Sequence, residues 1–167
     1  MLPVVVFLCT GNAARSVIAG RLVEEMHLPV RVVTAGTHVV ESQPMSMRTR
    51  EALIAVGVEP RAHRSHQLTS GDVERSSLIV AMAPEHVRYV RRHHPDGARR
   101  CATIHFLAQR LEAGDVPLAS RVESMGLELV PPESQGGVSD PAGKEVPEYV
   151  ECARQLAALV DVLARAL

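Results

Sequence analysis

Val4-Val5-Val6-Phe7-Leu8-Cys9-Thr10-Gly11-Asn12-Ala13-Ala14-Arg15-Ser16 runs from an apolar β segment into a cysteine, a small-residue loop, an arginine and a serine. A helical pattern begins directly after it, at Val17. An unbroken apolar run of this kind suits a central parallel strand covered on both faces. The N–H groups of a tight loop ahead of a helix converge on one point, and the helix dipole adds positive potential there, so this turn reads as an anion cradle. Arg15 can close the ring with a planar, two-pronged fork. The same field favours a thiolate at Cys9, which makes it a nucleophile rather than an inert thiol. Cys101 and Cys152 lack the pattern, because Leu107 and Ala158 stand where the arginine would be.

Working outward, strands and helices alternate. Ile18, Leu22 and Met26 follow the cradle at helical spacing, and Val30–Ala35 reads as the second strand, ended by Gly36. A helix from about Met45 to Val56 stops at Gly57, with Met45 and Met47 expected to fill core space as Met82 does. Leu78–Met82 is the third strand, and Pro84 opens the next helix at a tolerated position. A short strand near Cys101–Ile104 and a helix through Leu107 and Leu111 follow. The last helix, about Pro147 to Leu167, repeats apolar residues at Val150, Ala153, Ala157, Val160, Ala164 and Leu167. This order implies an α/β fold: a doubly wound, four-stranded parallel sheet with helices on both faces. Ligands of such sheets sit at the carboxyl ends of strands, where Cys9 ends strand 1.

With 167 residues, the chain is expected to form one domain across 1–167 with a full core. A net charge of −1 gives no bulk drive toward nucleic acid or membrane. The Arg88-Tyr89-Val90-Arg91-Arg92-His93-His94 run lacks a stacking platform and reads as a solvated helix face. No apolar stretch approaches membrane-spanning length, and no basic region precedes the first apolar run as in a signal peptide. Three widely spaced cysteines do not form a disulfide framework, so a reducing cytoplasm is the expected location. No metal or other cofactor is expected.

The stretch from about Gly114 to Gly143 reads apart from the alternating strands and helices. Pro131-Pro132-Glu133-Ser134-Gln135-Gly136-Gly137 is a strong turn signature, and Asp140-Pro141 closes it. The Gly-Gly pair is expected to hinge a segment that swings the Asp140 carboxyl over the cradle. Thiolate attack on phosphorus expels an alkoxide, phenoxide or amine. Protonating that leaving group is worth about 10²–10⁴ in rate.

Cys9 to Ser16 resembles the phosphate loop of the low-molecular-weight protein tyrosine phosphatase family, C-x-G-N-x-C-R-S. Thr34-Ala35-Gly36-Thr37 resembles that family's S-A-G-T. His63-Arg64-Ser65-His66-Gln67-Leu68-Thr69 resembles its His-x-x-Arg-x-Leu segment, with His66 in place of the arginine. Ser77–Met82 with Glu85-His86 resembles its third strand and following helix, and Asp140-Pro141 its general-acid loop. The resemblance implies Cys9, Arg15 and Asp140 as catalytic groups, with phosphate held by Thr10, Gly11, Asn12, Ala13, Ala14, Arg15 and Ser16. It implies that Asn12 keeps the loop shape, that His63 buttresses the Asn12 side chain, and that Ser16 either hydrogen-bonds the thiolate or caps the helix. The expected substrate is a phosphorylated protein or a small phosphoester.

Departures leave the substrate open. Ala14 replaces a second cysteine that protects the nucleophile, and Ala13 fills the variable loop position. Ala142-Gly143 follows Asp140-Pro141 where relatives carry pocket-walling aromatics, and the chain has only two Tyr, two Phe and no Trp to replace them. Phosphotyrosine, other phosphomonoesters and phosphoarginine all stay open. So do arsenate reduction with an external thiol and a non-catalytic phosphate sensor. Nothing in the sequence sets an oligomeric state.

Overall fold

A computed structural model describes residues 1–167. Its elements are β1 (Val4–Cys9), α1 (Arg15–Glu25), β2 (Arg31–Gly36), α2 (Met47–Ala55), α3 (Ser70–Arg75), β3 (Leu78–Ala81), α4 (Pro84–His93), β4 (Cys101–Thr103), α5 (Ile104–Arg110), α6 (Leu118–Glu123) and α7 (Val146–Leu163). The strands form one parallel sheet in the order β2-β1-β3-β4.

Alternation along β1 divides the core. Val5 and Phe7 face the larger apolar cluster, built with Ile18, Leu53, Leu107 and Leu156 from α1, α2, α5 and α7. Val6 and Leu8 face the smaller one, with Val73, Val87 and Val90 from α3 and α4. Helices therefore cover both faces, and β1 is buried along nearly its whole length, which is why it reads as unbroken apolar sequence. The chain leaves β1 toward β2 on one side and returns to place β3 on the other. The carboxyl end of β1 is thus the switch point where such sheets open a crevice.

Local chemistry fixes the ends. Ser46 caps α2 by accepting from Thr49 N–H at 3.2 Å, and Thr103 caps α5. Thr69 and Asp72 form a reciprocal capping box on α3. One expectation needs correction, and two short helices add to the elements read from sequence. Met47 is 68% exposed and fills no core space, whereas Met45 and Met82 are buried. The 114–143 stretch holds a helix, α6, whose six residues were too short to show a helical period. The short helix α3 was missed for the same reason. No helix is long and apolar enough to cross a membrane.

Candidate active site

Cys9 is the last residue of β1, and the turn to α1 wraps around its thiol. The loop's carbonyls point outward and are tied down. Thr37 N–H donates to Cys9 O at 3.0 Å, His38 N–H to Thr10 O at 2.9 Å, and the Thr49 hydroxyl to Ala13 O at 2.9 Å. With the carbonyls engaged outside, the N–H groups of Thr10 through Ala14 donate to no protein atom, so the cradle keeps its donors for an anion. Gly36 supports the loop from below. A Cβ there would lie 2.5 Å from Thr10 O and 2.9 Å from Asn12 N, so only glycine lets β2 come this close.

Asn12 is the keystone of the turn. Fully buried, it holds the left-handed conformation at φ +50°, which asparagine tolerates better than most residues. Its Oδ1 accepts from His66 N–H at 2.9 Å, so Nδ2 is left to donate to Ser16 Oγ, also at 2.9 Å. Ser16 Oγ, with one lone pair taken by Asn12, lies in hydrogen-bond contact with Cys9 Sγ at 3.0 Å. Two expectations are revised. Ser16 lies inside α1, with Ala14 at the cap position, so its hydroxyl serves the thiol and not the helix end. His63 hydrogen-bonds the Asn12 backbone rather than its side chain: its Nε2–H donates to the Asn12 carbonyl at 2.8 Å, and the backbone of His66 holds the amide. The His66 ring meets Asp72 Oδ2 at 2.8 Å, which places a cation-capable group where the resemblance expects arginine. Burial works against Asp72 ionising, but hydrogen bonds from Thr69 and His66 hold its carboxyl below the ordinary range.

Arg15 is 3% exposed and spans the mouth. One prong donates to Val138 O at 3.0 Å and the other to Asp140 Oδ2 at 3.0 Å. The structure therefore brings Cys9, Arg15 and Asp140 together across 125 residues of sequence between arginine and acid. The acid segment differs from the hinged arm read in sequence. Gly137 packs against Ala83 and Pro84, Val138 N–H donates to Met82 O at 2.8 Å, and Gln135 Oε1 accepts from Thr103 N–H at 2.9 Å. The Gly-Gly pair is thus held on one side by the Ala83-Pro84 helix start, and the buried residues of the segment are Pro132, Gln135, Val138 and Pro141.

Sequence reasoning missed His86. Buried at 1% exposure in the first turn of α4, it contacts Thr10 Oγ1 at 2.9 Å. Burial, helped by the charge of Arg15, lowers its pKa to about 3 and keeps the ring neutral. Its signal was the Ala83-Pro84-Glu85-His86 helix start, which carries no chemistry of its own. The arginine run of α4 is also not simply a solvated face. Arg91 donates to the carbonyls of Leu127 and Val130, and Tyr89 lies edge-on to His38 with ring centroids 5.5 Å apart. Those rings and Arg92 line a groove of about 530 Å³ that opens at Thr10. On the other side of the mouth, Asp140, Lys144, Glu148, Glu151 and Cys152 line a cavity of about 220 Å³. Cys152 sits within the field of Arg15, Asp140 and Cys9, yet burial pushes its thiol up to about 12. Burial does the same to Cys101.

The profile of the family described as low molecular weight phosphotyrosine protein phosphatase matches residues 4–119. The chain is 28% identical to the protein-arginine-phosphatase of Geobacillus stearothermophilus over 164 residues, 98% of this chain and 95% of that one. It is 31% identical to the low molecular weight protein-tyrosine-phosphatase Etp of Escherichia coli (strain K12) over 113 residues, 68% of this chain and 74% of that one. The solved low molecular weight protein tyrosine phosphatase of T. tengcongensis superposes with a TM-score of 0.77 at 25% identity, covering 99% of each chain.

Proposed function

The chain belongs to the low molecular weight phosphotyrosine protein phosphatase family, and we propose that its 167 residues form one catalytic domain hydrolysing phosphotyrosine or related phosphomonoesters and phosphoramidates on proteins. The observation that carries this reading is the Ser16–Cys9 contact beneath Arg15, with Asp140 held on the same arginine. A phosphoryl group entering the cradle takes the five free loop N–H groups and the Arg15 fork, releasing Asp140 to the leaving-group side. Cys9 Sγ attacks phosphorus, the bond to the leaving oxygen or nitrogen breaks opposite to it, and the Asp140 carboxyl gives that atom its proton. Asp140, now a carboxylate, accepts a proton from water as the water attacks the phosphocysteine, freeing phosphate and the thiolate. Arg15 and the loop amides supply the positive charge that the step requires. Free Cys9, Cys101 and Cys152 fit a reducing cytoplasm.

A second reading, phosphoarginine as substrate, is favoured by Glu148 and Glu151 beside Asp140, where no aromatic ring lines the cavity. Carboxylates suit a departing guanidinium better than a phenol. The similarity to the arginine phosphatase along nearly the whole chain agrees with this. Arsenate reduction is less well supported, since neither Cys101 nor Cys152 has a thiol acid enough to resolve Cys9 quickly.

The test is hydrolysis of p-nitrophenyl phosphate in EDTA by wild type and Cys9→Ser, followed by phosphoarginine and phosphotyrosine peptides in parallel. Turnover that needs Cys9 is the expected result. Equal turnover by the variant overturns the mechanism, and a preference for the phosphotyrosine peptide removes the second reading.

A further inference from the structure

We propose that the Thr10 hydroxyl is a donor to the bound phosphoryl group, aimed by His86 as a positioning residue. The inference rests on the phosphatase reading and extends it from the loop backbone to a side chain.

The direction of the Thr10 proton follows from its neighbours. His86 Nδ1 accepts from Ala83 N–H at 3.1 Å, so Nδ1 carries no hydrogen. Being buried and neutral, the ring has one proton, and it is on Nε2. His86 therefore donates to Thr10 Oγ1 across 2.9 Å and cannot accept from it. The second lone pair of the hydroxyl faces Arg15, whose nitrogen lies 3.4 Å away. With both lone pairs engaged, the Thr10 proton has no acceptor among protein atoms. The same arginine nitrogen holds Asp140, so the hydroxyl stands beside the position an oxygen of the substrate takes on that prong.

Ser16 repeats the design on the other side of the cradle. There a buried nitrogen donor, Asn12 Nδ2, fills one lone pair of a hydroxyl that lies 3.0 Å from the sulfur, leaving its proton for a Cys9 thiolate. Ser16 thus serves the nucleophile and Thr10 the group under attack. Neither orientation needs to be established during the reaction, because both hydroxyls are set by the fold beforehand.

Thr10→Val keeps the shape and removes the donor. Thr10→Ser keeps the donor. His86→Asn keeps an acceptor for Ala83 N–H and removes the Nε2–H. Turnover of p-nitrophenyl phosphate and calorimetric titration with orthovanadate are measured for each variant and for Thr10→Val/His86→Asn. Losing one hydrogen bond to a charged group lowers kcat/KM by about ten- to a hundred-fold in Thr10→Val and weakens vanadate in proportion, while Thr10→Ser stays within a few-fold of wild type. His86→Asn lowers kcat several-fold, and the double variant is no worse than Thr10→Val alone. Thr10→Val as active as wild type, or a His86→Asn loss that multiplies fully onto the Thr10→Val loss, overturns the proposal. Should wild type fail to turn over, the phosphatase reading fails by itself. The vanadate titration still decides whether Thr10 donates.

Discussion

The two arms of this candidate site are built in opposite ways. The cradle from Cys9 to Ser16 is largely buried, its carbonyls tied to Thr37, His38, Thr49 and His63, and Gly36 packed beneath it. The acid segment is fixed at Val138 and Pro141, but the Asp140 side chain is 46% exposed and held by the Arg15 ion pair and one Ala142 N–H at 3.1 Å. The difference follows from what each arm does. Donors that meet a developing charge must be in place before the reaction, whereas an acid that gives up a proton and then takes one must shift between partners. Changes in the cradle should therefore reduce every activity, and changes in the acid segment should act selectively on the proton-transfer steps.

The largest effect tests the cradle. Cys9→Ser is expected to lower kcat by at least about 10⁴-fold while phosphate still binds, because a neutral hydroxyl replaces the thiolate and the donors remain. Asp140→Asn comes next. Stopped-flow kinetics should show phosphoryl transfer slowed by about 10²–10³-fold with a poor leaving group and far less with p-nitrophenolate, since a good leaving group needs little protonation. Equal losses on both substrates would break the comparison. Gly36→Ala, on a residue that never meets substrate, forces the Thr10 carbonyl aside. It should cost about 1–3 kcal/mol in denaturant melts and reduce phosphate affinity as well as rate.

A pH dependence sharpens the picture. The folded pKa of His86, about 3, lies below the ordinary histidine value of 6.5, so the unfolded chain takes up the proton first as pH falls. The stabilisation is present above the unfolded value and is lost on acidification from there toward 3. Between pH 7 and pH 5 this group alone should remove about 2 kcal/mol of stability, and His86→Asn should flatten that slope. The smallest effect belongs to the acid segment. Gly143 is left-handed at φ +77° with open space around it, so Gly143→Ala should cost about 1 kcal/mol and leave kcat within a few-fold.

The sheet and the cradle were legible because both are local. Val4–Leu8 shows its burial as unbroken apolar sequence, and Cys9, Arg15 and Ser16 are close in the chain as well as in space. The helix ends drifted by a residue or two, as at α2, where Met45 and Met47 suggested one apolar face but only Met45 is buried. What escaped was long-range. His86 reaches Thr10 across 76 residues, Thr49 reaches Ala13 across 36, and His66 holds Asn12 by its backbone, which no residue type reveals. The Gly136-Gly137 pair misled for a related reason. Glycine serves flexibility and close packing alike, and only the contact with Ala83 and Pro84 tells which.

The most direct measurement is capture of the covalent intermediate. Asp140→Asn, mixed with a good-leaving-group phosphate ester and quenched within its first turnover, should yield the Cys9 peptide carrying one phosphoryl group by mass spectrometry, while Asp140→Asn/Cys9→Ala gives no phosphorylated peptide under the same conditions. Turnover with an unmodified Cys9 peptide, or a phosphoryl group on any other residue, would contradict nucleophilic catalysis by Cys9.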